Sequence, residues 1–244
     1  MSPATIPSAV DGSLRRLQTE VIDLYQIHWP NRGSYMFRKN WAYDPSALDR
    51  AVVMQDLADT LGSLQDMVDQ GKIRAFGMSN ESAWGLSALL RLSEEGAGPR
   101  VCAVQNEYSL LCRLYDTDMA ELGVLENVVL LAFSPLGAGF LTGKYQDGVP
   151  DGSRMAHVET MGGRNSDRVR PAVAAYLSVA KKHGIDPVHM ALAFCRQRPF
   201  PVSAIFGATR LSQLEHILAG KDLVLGDEVL DELTAAHKAH PMPY

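Results

Sequence analysis

Short runs of apolar and β-branched residues alternate along the chain with longer amphipathic stretches, and this alternation limits the possible folds more than any other feature. The runs lie at residues 21–27, 73–78, 101–105, 128–133 and 202–206. The stretches with helical periodicity lie at residues 8–17, 51–70, 82–94, 116–122, 169–183 and 187–197. A strand–helix order of this kind predicts βα units, and therefore a parallel sheet covered by helices.

Two of these segments carry the pattern most clearly. The run VVLLAF at 128–133 is apolar throughout, which is typical of a parallel strand that is covered on both faces. In the stretch 51–70, apolar residues recur at three- and four-residue steps, as expected of a helix that faces a core: Val53, Leu57, Leu61, Leu64 and Val68. Gly71 follows as the expected C-terminal cap of that helix.

The residues that follow the predicted strands favour a barrel over a doubly wound sheet. They are polar or small: His28, Ser79, Asn80, Gln105, Asn106, Ser134, Pro135 and Gly207. In a β/α barrel such positions share one catalytic face, whereas the GxGxxG of a doubly wound dinucleotide-binding sheet is absent after the first strand. We therefore predict an α/β fold of the (β/α)8 TIM-barrel type.

The number of strands departs from a closed barrel. The pattern predicts five strands, whereas a barrel of this type has eight. We therefore expect an N-terminally truncated barrel, with a single domain over residues 1–244. An open sheet of this kind has exposed strand edges, which favour aggregation or pairing with another chain.

Composition and charge exclude several classes of function. The 244 residues are 46% hydrophobic and 21% charged, which is ordinary for a globular protein. A net charge of -5 and a pI near 5.8 argue against a nucleic-acid-binding surface. No apolar stretch is long enough to span a bilayer, and the N-terminus lacks the order of a secretory signal. We expect a soluble cytoplasmic protein.

The cysteines and histidines give no indication of a metal site. Cys102, Cys112 and Cys195 lack CxxC or metal-ligand spacing, and we expect them to be reduced. His237 and His240 are too isolated to supply the ligands of a metal centre.

His28 is the first candidate for chemistry. It follows a predicted strand and precedes Trp29 and Pro30, and proline at that point ends the strand. An imidazole at the carboxyl edge of a sheet can donate a hydrogen bond to a substrate carbonyl and stabilise developing negative charge. By position alone, a structural histidine is the alternative.

Five motifs occur in order along the chain, each at a predicted strand-to-loop junction. They read DLYQIHWP, GKIRAFGMSN, QNEYSLL, FSPLGAGFLTGKY and GATRLSQL. Together they resemble the aldo-keto reductases, particularly the subgroup that includes bacterial Tas-like enzymes and potassium-channel β subunits. The resemblance covers essentially the whole chain. It implies hydride transfer from NADPH to a small aldehyde or ketone, with His28 as a catalytic residue that orients the carbonyl.

The resemblance also assigns residues to the nicotinamide end of NADP. Ser79, Asn80 and Gln105 would bind its carboxamide, for which they offer suitable donors and acceptors. Phe133 occupies the position where the family stacks an aromatic ring on the nicotinamide. The alternative for Phe133 is an ordinary core residue.

The phosphates and the adenosine are assigned to later motifs. The small residues of SPLGAGFLTGK allow backbone amides to approach a pyrophosphate, although a flexible surface loop is the alternative. The resemblance implies that the following residues of this part of the chain contact the cofactor: Ser134, Leu136, Ala138, Thr142, Lys144, Arg154, Gly207, Thr209 and Gln213. Arg210 is compatible with a 2′-phosphate, and a solvated surface arginine is the alternative.

The adenine site departs from the family pattern. The family usually places an acidic residue and then an asparagine soon after the glutamine that corresponds to Gln213. His216 and Ile217 stand there instead, so we expect the adenine contacts to be weakened or rearranged.

The segment 31–45 is long and aromatic. Tyr35, Phe37, Trp41 and Tyr43 alternate there with basic residues. Aromatic side chains at the mouth of a barrel suit an apolar carbonyl substrate. A loop packed over its own hydrophobic cluster is the alternative.

The family's proton-donating residues have no counterpart here. Its aspartate, tyrosine and lysine precede the histidine strand, but the 27 residues before His28 contain no lysine. Asp11 and Tyr25 match no catalytic position. Three interpretations are open. The first is an active reductase whose start lies further upstream, and the third is a non-functional fragment. The second is a non-catalytic NADP-binding or regulatory module that forms a homo-oligomer or pairs its open strand edge with a partner. For this chain alone, we expect impaired activity or none.

Overall fold

The structure, a computed structural model, describes residues 3–36 and 39–244. Phe37 of the predicted aromatic segment lies outside the described residues. The chain forms two compact units. The first comprises the described residues up to Asn106 together with Asp118–Leu130, and the second comprises Glu107–Thr117 and Leu131–Tyr244. The prediction of a single domain stays a prediction.

Strands and helices alternate along much of the described chain. The strands are β1 (Ile22–Ile27), β2 (Ile73–Ser79), β3 (Val101–Gln105), β4 (Val129–Phe133) and β5 (Val202–Ile205). The helices are α1 (Ile6–Leu17), α2 (Arg50–Asp69), α3 (Ala83–Glu94), α4 (Asp118–Leu125), α5 (Arg154–His157), α6 (Val169–Lys182), α7 (Pro187–Arg196), α8 (Leu211–Ala219) and α9 (Asp227–Ala239). Short 3-10 turns lie at Pro3–Thr5, Leu114–Asp116 and Gly137–Thr142.

The predicted parallel α/β sheet is confirmed. The five described strands form one sheet in the order β1-β2-β3-β4-β5, and β1–β2, β2–β3 and β3–β4 pair in parallel. Each predicted strand lies within two residues of its observed bounds. Since β1 to β4 are consecutive neighbours and run in the same direction, their carboxyl ends meet at one edge of the sheet.

The core of the first unit lies between α2, α3 and the sheet. Val53, Leu57, Leu61 and Leu64 are buried, as the helical spacing predicts. The stripe then continues through Met67, whereas Val68 is only partly buried. In a helix with 3.6 residues per turn, the residues three and four positions after Leu64 both lie near the same face. In α2 the residue three positions on, Met67, is the buried one.

An aromatic cluster forms much of the core of the second unit. The rings of Tyr108 and Phe194 are stacked, with centroids 6.1 Å apart. Phe200 approaches Tyr108 edge to face at 5.7 Å and lies 5.0 Å from Tyr115. The cluster fixes Tyr108, which follows directly on Glu107, a residue of the candidate site described below.

Two glycines in the first unit allow local geometry that other residues would prevent. Gly71 has a φ of 70° and its N–H donates to the carbonyl of Val68, which confirms the predicted cap of α2. Gly98 lies directly against α2, because a Cβ there would be only 2.3 Å from the backbone oxygen of Leu61.

Two further observations bear on the sequence predictions. Cys102, Cys112 and Cys195 form no disulfide in the described part of the chain. Among the described helices, none has the length and apolar character needed to cross a membrane.

Substitution of Gly98 tests the close approach of the chain to α2. Gly98→Ala should lower the free energy of unfolding by about 1–3 kcal/mol, because the added methyl group forces the backbone away from Leu61. Gly62→Ala is the matched control. It lies inside α2 with open space around it and should be neutral or stabilising by up to about 1 kcal/mol. Urea unfolding of the three proteins checks this, and equal midpoints for Gly98→Ala and the parent would contradict it.

Candidate functional site

The carboxyl ends of β1, β2 and β3 meet around Asn80. Its side-chain Nδ2 donates to the backbone oxygen of His28 at 3.0 Å and to Ser79 Oγ at 3.1 Å. Its backbone N–H donates to the carbonyl of Gln105, which also accepts from Ser79 Oγ at 2.7 Å. The structure thus brings together the four residues of the first unit that the sequence predicted for the site.

The side chain of Asn80 is buried but only partly satisfied. The residue is 1% exposed, and its Oδ1 has no hydrogen-bond partner among the described residues. A buried polar atom without a partner costs roughly 1–3 kcal/mol, so such atoms commonly mark a place where a ligand binds. An amide N–H₂ group, such as that of a carboxamide, has the donor that this oxygen lacks.

His28 lies just beyond the end of β1, and its side chain is exposed. Its ring lies 5.3 Å from the ring of Trp29. The hydrogen bond from Asn80 Nδ2 fixes the backbone of His28 at the edge of the sheet, and this backbone positions the imidazole. An exposed imidazole on a fixed backbone can donate a hydrogen bond to an incoming carbonyl oxygen.

Tyr25 does not have the properties of a proton donor. It is a buried residue of β1, and burial raises the pKa of its hydroxyl, against the smaller opposing effects of Ser13 and Arg16. Burial likewise raises the pKa of Tyr115 to about 12. Among the described tyrosines with a shifted pKa, every shift is upward. A general acid needs the opposite shift, toward the operating pH.

The segment after His28 is held by an ion pair that sequence reasoning missed. Arg32 forms a salt bridge with the fully buried Glu81 and donates to Ser82 Oγ at 3.2 Å. Its guanidinium also lies over the ring of Trp84, 5.3 Å from the centroid. Glu81 directly follows Asn80 in the sequence, so this pair ties the segment after β1 to the end of β2.

The predicted aromatic segment borders a cavity of about 480 Å³ in the first unit. Tyr35 and Tyr43 line it, with their rings 6.1 Å apart in an edge arrangement. Arg32 and Trp84 also line it, whereas His28 is not one of the lining residues in the described part of the chain. The role of these aromatic residues toward a substrate therefore stays a prediction.

In the second unit, a buried ion pair organises the start of the loop after β4. Arg164 Nε lies 2.7 Å from Glu107 Oε1, and both side chains are 8% exposed. Arg164 also donates to Ser134 Oγ at 3.3 Å, and the hydroxyl of Tyr244 donates to Glu107 at 3.1 Å. Burial is the largest single effect and opposes the charge of Arg164, but Glu107 and Tyr244 together outweigh it and hold the pKa of the guanidinium above its usual value.

The loop that begins at Ser134 contains several residues in the left-handed backbone conformation. Ser134, Gly137, Ala138 and Gly139 all have positive φ, from 55° to 98°. The N–H groups of Gly137 and Gly139 donate within the loop, to the carbonyls of Ser134 and Leu136. Thr142 Oγ1 donates to the carbonyl of Gly139 at 2.8 Å and so closes the loop.

Four more of the predicted residues of the second unit lie in β4, in the segment that follows it and in α5. Phe133 is partly buried at the end of β4, and the exposed Lys144 has its Nζ 5.0 Å from the centroid of the Tyr145 ring. Leu136 packs against the core cluster that contains Ile217 of α8. Arg154 is exposed at the start of α5. Its described hydrogen bonds and ion pairs do not include a residue of the loop that begins at Ser134.

The predicted adenosine-phosphate end is an exposed turn before α8. Gly207, Thr209 and Gln213 are all exposed. Gln213 Oε1 accepts from the N–H of Thr209 at 2.9 Å and from its hydroxyl at 3.2 Å. The glutamine thus shapes the turn itself, while its amide N–H₂ group carries the remaining donors.

The two departures at the predicted adenine site have structural explanations. Ile217 is a core residue, 8% exposed, that packs with Val188 and Leu192. His216 points its Nε2 at Asp186 Oδ2, 3.1 Å away. The side chain at position 217 therefore packs in the core, and the side chain at position 216 contacts Asp186, the N-cap residue of α7.

Comparison with known proteins identifies the family. The model of the Aldo/keto reductase family matches residues 1–238. The chain is 40% identical over 242 residues to the protein tas of Escherichia coli, covering 98% of this chain and 68% of that protein. It is 34% identical over 230 residues to an aldo-keto reductase of Babesia bovis, covering 88% of this chain and 79% of that protein.

A solved structure supports the same conclusion for the fold. The glycerol dehydrogenase of Gluconobacter oxydans superposes with a TM-score of 0.72 at 26% identity, over 99% of this chain and 66% of that one. This chain therefore spans about two thirds of the length of two of these three relatives. The family match, the identity to tas and the parallel sheet agree: the chain belongs to the aldo/keto reductase family, with a fold of the TIM-barrel type.

Proposed function

We propose that this chain is the NADP-binding part of an oxidoreductase that reduces an aldehyde or ketone. The observation that carries the proposal is the buried Oδ1 of Asn80, which lacks a partner at the meeting point of three strand ends. A nicotinamide carboxamide has a donor that suits this atom. Family membership supports the same chemistry, because a nicotinamide cofactor supplies the hydride when it is bound.

In this proposal the cofactor residues are those that the sequence motifs assign. Ser79, Asn80 and Gln105 hold the carboxamide, and His28 donates a hydrogen bond to the substrate oxygen. Phe133 contacts the nicotinamide ring. The loop residues Ser134, Leu136, Ala138, Thr142 and Lys144, with Arg154, serve the phosphates, and Gly207, Thr209 and Gln213 serve the adenosine end.

Binding and catalysis are separable in this chain. The cofactor residues are present, whereas the described tyrosines with shifted pKa values are all poorer acids than a free tyrosine. Without a matched general acid, carbonyl reduction loses about 10²–10⁴-fold in rate. We therefore propose that the chain alone binds NADPH but reduces carbonyl compounds poorly or not at all. The alternative function, a non-catalytic NADP-binding module that acts with a partner, rests on the same observation.

The 244-residue chain should show no measurable oxidation of NADPH in the presence of an aromatic aldehyde, followed by absorbance at 340 nm. The reason is that every described tyrosine with a shifted pKa is a poorer acid than a free tyrosine. Turnover that is clear in the parent, lost in His28→Ala and retained in His157→Ala would contradict this expectation. His157 is an exposed residue of α5 and serves as the control.

Binding should depend on Lys144. We expect NADPH to bind the parent with a fluorescence change, and Lys144→Ala to raise Kd about 3- to 10-fold, since one charged contact to a phosphate is lost. Lys181→Ala removes an exposed lysine from α6 and should leave Kd unchanged. Failure of the parent to bind NADPH, or equal effects of the two variants, would contradict the assignment.

Arg210 should contribute to the choice of cofactor. If it contacts the 2′-phosphate, Arg210→Ala weakens NADPH binding severalfold and leaves NADH binding unchanged. Titration of both cofactors against the parent and the variant measures this. An equal loss for NADPH and NADH would show that Arg210 does not distinguish them.

A further inference from the structure

Asp186 and His189 share one face at the start of α7. Asp186 is the N-cap of this helix, and its Oδ1 accepts from the backbone N–H groups of Val188 and His189, at 2.9 and 3.1 Å. Pro187 occupies the first helical position and fixes the entry of the chain. Residues three apart on a helix are neighbours, so the second carboxylate oxygen and the imidazole of His189 face the same space.

His216 of α8 completes the group. Its Nε2 lies 3.1 Å from Asp186 Oδ2, and the centroids of the two imidazole rings are 5.0 Å apart. The ring of His189 is held against α8 on two sides. Its Nε2 lies 2.6 Å from the carbonyl oxygen of His216, and Gly220 leaves the space for the ring, because a Cβ there would come within 2.2 Å of it.

We propose that Asp186, His189 and His216 form a binding site for a divalent transition-metal ion, with zinc as the best match. One carboxylate oxygen and one ring nitrogen from each histidine lie within 4.8 Å of one another. Two histidines and one carboxylate are a ligand set that zinc accepts with water in the fourth position. None of the three residues is assigned as an NADP contact, although His216 stands at the predicted adenine position, and the site does not depend on reductase activity.

The distances suit such an ion after a small adjustment. Ligands of tetrahedral zinc lie about 3.3 Å apart when the bonds are about 2.0 Å long. The pair formed by Asp186 and His216 is close to this separation at 3.1 Å, and the ligand nitrogen of His189 lies within 4.8 Å of both partners. When its Nε2 donates to the carbonyl of His216, its Nδ1 carries the lone pair, and such a second hydrogen bond is usual for metal-binding histidines.

Accessibility and ligand type favour zinc over the hard cations. The side chain of His216 is 49% exposed and that of Asp186 is 34% exposed, so an ion and its water can enter from solvent. Magnesium and calcium prefer sites made of oxygen ligands, whereas imidazole selects zinc, nickel, copper and cobalt. The sequence alone does not suggest this site, because His189 and His216 are 27 positions apart.

A second group of possible ligands in the same unit provides the contrast. His183, Glu228 and Glu232 also lie close together. Lys182, however, forms salt bridges with both Glu228 and Glu232, so an ammonium group already occupies the carboxylates. A metal ion there would have to displace that charge. His183 is therefore a suitable control position.

The test is titration of the metal-free full chain with Zn²⁺ by calorimetry at pH 7.5, and with Co²⁺ by visible absorption. We expect one Zn²⁺ to bind per chain. With Co²⁺ we expect visible absorption bands of the kind that four-coordinate cobalt gives. His216→Gln should weaken Zn²⁺ binding at least about tenfold. This variant changes a half-exposed side chain and keeps a donor for Asp186. His183→Gln should bind Zn²⁺ like the parent.

The outcomes separate the alternatives. Loss of Zn²⁺ affinity in both His216→Gln and His189→Gln, with retention in His183→Gln, supports the site. Absence of binding by the parent at 100 μM Zn²⁺ would overturn it. Unchanged affinity in His216→Gln, or loss in His183→Gln alone, would also overturn it by locating the ion elsewhere. The circular dichroism spectrum of each variant, compared with the parent, excludes unfolding as the cause of a loss.

Discussion

The geometry of the first unit depends on the backbone at Asn80. This residue has a φ of 59°, a left-handed conformation that asparagine tolerates better than most residues. The turn directs its backbone N–H to the end of β3 and its side chain to the end of β1. The residue that directly follows β2 therefore fixes the relative positions of His28, Ser79 and Gln105. Strain of this kind is typical of functional sites, where the surrounding structure maintains it.

The proposed function separates holding a cofactor from moving a proton. Holding requires donors, acceptors and backbone turns, which the proposal assigns to Asn80 and to the loop from Ser134 to Gly139. Moving a proton requires a side chain whose pKa is close to the working pH. Burial has the opposite effect on tyrosine, as Tyr25 and Tyr115 illustrate. The proposal therefore rests on recognition of a nucleotide and not on the complete reaction.

The sequence predicts local features of this fold better than contacts between distant residues. Strand positions and the cap at Gly71 follow from short-range patterns, and all five strands were predicted. The last turn of α2 shows the limit even locally, because Met67 is buried where Val68 was expected. The contacts Glu107–Arg164 and Asp186–His216 depend on how elements pack, so no spacing in the sequence indicates them. The periodicity in the sequence does not predict α5, α8 or α9.

The buried pair of Glu107 and Arg164 also restricts how this protein can evolve. Loss of one partner leaves an uncompensated charge in the interior, at a cost of about 3–5 kcal/mol, which is a large part of the stability of a typical domain. Replacement of both partners by apolar residues of similar volume avoids that cost. The two positions should therefore vary together across descendants of this sequence, and a lineage that changes one of them has to pass through a poorly folded intermediate.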